Sequence, residues 1–150
     1  MTEVLFYHLQ GRKLENVLPA LLEKSLERGW RVVVQGASEE RIEALDSHLW
    51  TYRDDGFLPH GTWREPEAAE QPVLLTLTGS NPNGATVRFL IENAPVPADA
   101  GAYQRIVLLF DGEDEDAVAA ARANWAEAKA KGFDATYWQS DDSGRWVKKA

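Results

Sequence analysis

A three-layer α/β/α sandwich around a mostly parallel, Rossmann-like sheet is predicted by three features of the chain. Runs such as "WRVVVQ" (30–35) and "RIVLLF" (105–110) have the near-continuous apolar, β-branched content of strands buried on both faces. Stretches with helical spacing of apolar residues lie between such runs. The alternation of the two places helices on both faces of one sheet.

The first element is "VLFYHL" (4–9), a strand, and the period then changes: Leu14, Val17, Leu18, Leu21 and Leu22 recur at helical spacing. Pro19 is tolerated well only in the first turn, so the helix is expected to begin near Asn16 or to kink early. Gly29 ends it and the strand 30–35 follows. Ser38 is the expected N-cap of a second helix, with Glu39 and Glu40 in its first turn and Ile42, Leu45 and Leu49 as its apolar stripe up to Trp50. Residues 51–72 lose periodicity and carry three prolines and two glycines, which makes them one long, functional connection. "PVLLTL" (72–77) and "ATVRFLIEN" (85–93) read as strands around the turn-rich "GSNPNG", close enough for a hairpin-like or neighbouring pair. "RIVLLF" is central, and 114–131 is a helix, acidic at its start, basic at its end and closed by Gly132. "DATYWQ" and "GRWVKK" form a terminal strand or hairpin with a basic tail at 145–150.

At 150 residues the chain is expected to be one domain, and six tryptophans give it a real core. It has no cysteine, hence no disulfide and no thiolate metal site. No apolar run is long enough to span a bilayer, so a cytoplasmic protein with no membrane contact is expected. A net charge of −8 argues against broad duplex binding, so any anionic partner must be met by a local basic patch.

The chain carries few signatures of chemistry. "IVLLFDGEDED" (106–116) ends a strand in acids, and a magnesium-dependent nucleotide hydrolase or nuclease using Asp111 and Glu113 is the enzymatic alternative. The phosphate loop that should accompany it is missing, and Asp114, Glu115 and Asp116 suit the positive end of a helix dipole. His8, His48 and His60 lack zinc spacing, no serine-nucleophile elbow or dinucleotide fingerprint occurs, and neither cofactor nor metal is expected. What stands out is aromatic. Trp50 and Tyr52 lead into "RDDGFLPHG" (53–61), and in the last long helix Arg122, Trp125 or Ala126, and Lys129 share one face. Such a basic face beside an aromatic suits a short acidic peptide ending in an aromatic.

Taken in order, "FYHL", "LLEK", "RGWRVVVQ", "LDSHLWTYRDDGFLPHG", "PVLLT", "FLIEN", "LLFDG" and "ARANWAEAKAKGFDATYWQ" resemble the chi-subunit family of bacterial DNA polymerase III holoenzyme over residues 4–139. The resemblance implies a non-catalytic α/β subunit of the clamp-loader assembly. It would bind the acidic, phenylalanine-terminated tail of single-stranded-DNA-binding protein and contact the psi subunit, meeting DNA only indirectly. Carried over by position, it implies Arg122 as the carboxylate-binding base, with Trp125, Ala126, Lys129 and Tyr137 around it. Val118 and Ala126 stand where the family can carry lysine, and Lys131, Arg145, Lys148 and Lys149 are further basic groups that would offset that loss. For the psi contact it implies Phe57 with Leu58 beside it and Trp50 as support, while His60 holds the loop by hydrogen bonding.

Overall fold

A computed structural model describes residues 2–52, 58–141 and 143–150. Eight strands form one sheet: β1 (Glu3–Leu9), β2 (Val32–Gln35), β3 (Gly61–Thr62), β4 (Val73–Thr76), β5 (Val87–Ile91), β6 (Arg105–Asp111), β7 (Asp134–Ser140) and β8 (Trp146–Lys148). Their order is β3-β4-β2-β5-β6-β1-β7-β8, and all neighbours are parallel except β7 and β8. Three helices cover it: α1 (Leu14–Glu27), α2 (Glu39–Thr51) and α3 (Glu115–Ala130).

Alternation along the strands separates two cores. Val32 and Val34 point to one face, where Leu18 and Leu22 of α1 and Ile42 and Leu49 of α2 are buried against Phe89, Val107 and Leu109. Val33 points to the other, where α3 rests Ala117, Ala121 and Ala128 on Phe6, Ile106 and Leu108. Because the buried face of α3 is alanine, the helix lies close to the sheet and brings its flanking side chains within reach of β1 and β7.

The α/β sandwich and the central place of β6 agree with the sequence reading, and Ser38 caps α2 by accepting from the Arg41 N–H. The short β3 was not visible in the sequence. Two expectations change. α1 begins at Leu14, and Pro19 sits inside it, buried. A proline there has no N–H for the Glu15 carbonyl. His48 of α2 supplies the missing donor, its Nε2 lying 2.8 Å from that oxygen, so the interruption in α1 becomes a bond between helices. Replacing His48 by alanine is expected to cost about 1–2 kcal/mol in chemical denaturation. The same change made in a Pro19→Ala background should cost clearly less, because the backbone then provides its own N–H; equal costs in the two backgrounds would overturn the assignment.

The second correction concerns β4 and β5, which are not a hairpin or a neighbouring pair. β2 lies between them, and both are parallel to it. The chain therefore crosses from one side of β2 to the other through residues 77–86, without a helix to satisfy its backbone. Arg88 of β5 does so instead. It has no exposed surface, and it donates from Nη1 to Gln35 Oε1 at 2.7 Å and to the Thr78 carbonyl at 3.3 Å, from Nη2 to the Ser80 carbonyl at 2.5 Å, and from Nε to the Tyr103 hydroxyl at 2.9 Å. Among the described residues no carboxylate accompanies it; its charge is held by neutral oxygens and by the face of the Tyr103 ring, 5.2 Å away.

Candidate functional site

Alanine content favours helix over 115–130, and both ends are finished by local chemistry. The Asp114 carboxylate accepts from the Asp116 and Ala117 N–H groups and so caps the helix, a more specific role than the dipole contact expected of it. At the far end Gly132 takes φ +79°, and the N–H groups of Gly132 and Phe133 return to the carbonyls of Lys129 and Ala128.

On the flank of α3 that faces β1 and β7, Arg122, Trp125, Ala126 and Lys129 lie together, as their spacing requires. Arg122, Ala126 and Lys129 are exposed, whereas Trp125 and Tyr137 of β7 are half-buried. Trp125 meets Phe6 edge-on at 5.3 Å and Tyr137 edge-on at 6.2 Å, and the Lys129 ammonium stands 5.2 Å from the Trp125 ring centre. Arg122 is close enough to Tyr137 for its charge to pull the phenol towards ionisation, but burial acts more strongly and raises the Tyr137 pKa. The hydroxyl is therefore neutral at physiological pH. Among the described residues neither Arg122 nor Lys129 has a carboxylate partner, while Lys131 is engaged with Glu127 at 3.0 Å. The five residues thus make an aromatic floor with two unspent cations above it.

The sequence reading did not foresee what fixes Tyr137. Its hydroxyl and His8 Nδ1 share a hydrogen bond of 2.5 Å, and His8 also meets Phe110 edge-on at 5.3 Å. Burial lowers the His8 pKa, with Asp111 opposing, so a neutral imidazole is the favoured partner. The only signal of this was strand parity. Phe6 and His8 alternate onto the α3 face, but that Tyr137 is paired beside Phe6 follows from a register no local pattern reveals. Gly112 completes the arrangement: a Cβ there would fall inside the His8 ring. Gly112→Ala is expected to cost about 1–3 kcal/mol by displacing His8. In urea denaturation most of that cost should vanish when His8→Ala is added; a cost that persists would show that His8 is not what the new methyl meets.

After α2 the described residues depart from the expectation at Leu58. Leu58 is only 2 % exposed and belongs to the core under α1 and α2, so it anchors the chain and does not offer its side chain to a partner. A leucine in a stretch rich in acids, glycine and proline looks exposed in a sequence; here the core claims it. His60 is buried and holds this stretch, with Nδ1 2.7 Å from the Leu58 carbonyl and Nε2 3.3 Å from the Asp46 carbonyl and 3.1 Å from its carboxylate. The carboxylate oxygen is too far off line to count as a hydrogen bond. Trp50 lies over His60 at 4.5 Å and is 51 % exposed. Phe57 lies outside the described residues.

The acids of the enzymatic alternative stand at the carboxyl end of β6. There β1 and β6 send their chains to opposite faces, leaving a cleft of about 790 Å³ lined by Arg12, Lys13, Arg41, Asp111 and Glu113. Asp111 accepts from the Glu113 N–H at 2.9 Å, an ordinary turn contact. Arg41 is spent on Glu15 at 2.6 Å and Glu92 at 2.9 Å. Among the described residues no three His, Asp or Glu side chains are grouped to hold a metal, and no helix is long and apolar enough to cross a membrane.

Residues 1–136 match the family model described as DNA polymerase III chi subunit, HolC. A Rickettsia prowazekii protein named probable DNA polymerase III subunit chi is 31 % identical over 121 residues, which are 74 % of this chain and 71 % of that protein. A Pseudomonas aeruginosa protein named DNA polymerase III subunit chi is 35 % identical over 80 residues, 51 % of this chain and 55 % of its own length.

Proposed function

The chain belongs to the DNA polymerase III chi subunit family, and on that premise we propose that it is a replication adaptor with no catalytic site of its own. In this reading α3 and β7 grip the acidic, phenylalanine-terminated tail of single-stranded-DNA-binding protein, and the turn after α2 engages the psi subunit of the clamp loader. The observation that carries the tail site is the pairing of two exposed, unneutralised cations, Arg122 and Lys129, with the half-buried rings of Trp125 and Tyr137. An acidic tail supplies carboxylates for the cations, and its terminal ring supplies apolar surface for the floor. Burying one such ring gives about 2 kcal/mol, so with charge-assisted bonds a micromolar affinity is expected.

For psi, the reading uses the exposed indole of Trp50, backed by His60, together with Phe57 on the strength of the family resemblance. Leu58 enters only as the anchor that holds the turn against the core. Isothermal titration of an acidic peptide ending in Pro-Phe into wild type and Arg122→Ala tests the tail site. Binding lost in the variant supports it, and equal affinities would overturn it.

A further inference from the structure

We propose that a second cleft, on the face of the sheet opposite α3, binds single-stranded nucleic acid by stacking bases on part-exposed rings and pairing phosphates with unneutralised cations. It lies between the second half of α1 and the β7–β8 end of the sheet, with a volume of about 180 Å³. Its floor is aromatic: Tyr7 of β1 stacks with Trp138 of β7 at 6.3 Å and meets Trp146 of β8 edge-on at 4.7 Å, and Trp30 lines the other end. All four rings are part-exposed.

Cations stand among these rings. Arg28 lies 5.0 Å from the Trp30 ring centre and Arg105 4.9 Å, with Lys24 beside them on α1. Across the cleft, Lys148 is directly opposite Trp138 in the antiparallel register, so both side chains leave the same face of the sheet. Glu3 neutralises Arg105 at 2.8 Å. Lys24, Arg28 and Lys148 have no carboxylate partner among the described residues, which leaves three positive charges for a ligand.

The cleft is smaller than the roughly 300–1,000 Å³ of drug-sized sites, so it admits one flat ring at a time. A duplex keeps its base faces covered, and an acidic peptide with one terminal ring would leave most of the aromatic floor unused. A single strand repeats a ring and a negative charge at every residue, and aromatic rings interleaved with cations are the surface such a strand selects. The overall charge of −8 does not forbid this, because screening confines the interaction to local groups at physiological salt.

The test is fluorescence anisotropy of a labelled oligothymidylate of about 12 nucleotides, titrated at about 10 mM salt, where the Debye length is about 30 Å, and again at about 0.1 M. Wild type, Arg122→Ala and the double variant Arg28→Ala/Lys148→Ala are compared; both changes in the double variant are on exposed side chains. Wild type and Arg122→Ala are expected to bind alike with quenching of tryptophan fluorescence. The double variant should bind at least tenfold more weakly, with a salt slope smaller by about 1.4, or about 0.7 for each lost phosphate contact. No binding by wild type at low salt would overturn the proposal. So would an unaffected double variant, or a duplex of the same length bound as tightly. If the double variant instead loses an acidic Pro-Phe peptide that Arg122→Ala retains, the cleft is a peptide site and both this proposal and the α3 assignment fall.

Discussion

Arg88→Ala is expected to destabilise the protein by about 4 kcal/mol through a cavity and lost hydrogen bonds. The guanidinium has no exposed surface and satisfies four oxygens, those of Gln35, Thr78, Ser80 and Tyr103. Truncation strands the Gln35 and Tyr103 oxygens in a dry interior, at about 1–3 kcal/mol for each that finds no substitute, and opens a cavity, whereas the Thr78 and Ser80 carbonyls lie on an exposed stretch that water reaches. Arg88→Met separates the two costs, since it keeps much of the volume and removes every donor; it should recover only the cavity part. Arg88→Lys should also stay well below wild type, because one ammonium cannot reach acceptors arranged around a planar fork. In native-state hydrogen exchange the loss should be sharpest over residues 77–86, which cross β2 with no helix of their own. A cost under about 1 kcal/mol in chemical denaturation would mean that the crossing does not depend on this side chain.

The second large effect is on binding. Arg122→Ala should weaken an acidic Pro-Phe peptide about ten- to hundredfold, since a charge-assisted bond to a carboxylate contributes about 1.5–3 kcal/mol and 1.4 kcal/mol is tenfold. Arg122 can give that much because, among the described residues, no acid of its own chain competes for it, and because Trp125 and Tyr137 shield one side of the contact from water. Lys131→Ala is the internal control: its charge is already shared with Glu127, so it should change affinity little. Raising salt from about 0.05 to 0.5 M should weaken wild type more than Arg122→Ala, because only the former retains the full charge pairing to be screened. Unfolding curves of the two proteins should coincide, as an exposed side chain without hydrogen bonds contributes little to stability.

Much of this was legible in the sequence where the cause is local. The cap at Ser38, the stop at Gly132 and the helical spacing of Arg122, Trp125 and Lys129 are written in a few adjacent residues, and the structure has them as read, whereas Asp114, read as an acid inside the helix start, proves to be its N-cap. What was not legible depends on residues far apart in the chain. The turn-rich stretch between β4 and β5 suggests a hairpin, and only a buried arginine ten residues from Thr78 and fifty-three from Gln35 makes a crossing tenable. Pro19 argues against a continuous helix until His48 is placed beside it. Leu58 reads as exposed because it sits in a stretch with glycine, proline and acids that looks like a loop, while its neighbours in space are core residues. The proposed tail site divides in the same way: its helix face could be read directly, whereas the support of Tyr137 by His8 and Gly112 required the strand register.

The sheet ends in two stubs, β3 with two residues and β8 with three, the latter closing on Lys148 and followed by Lys149. An incoming strand would find too few N–H and C=O groups there to zip onto, and at one end a positive charge to strip of water. Backbone pairing is the least discriminating way for one protein to join another, and this architecture withholds it. Recognition is left to side chains on helix faces and turns, so it is specified residue by residue. A protein built this way can gain or lose a partner through single substitutions while its scaffold stays unchanged.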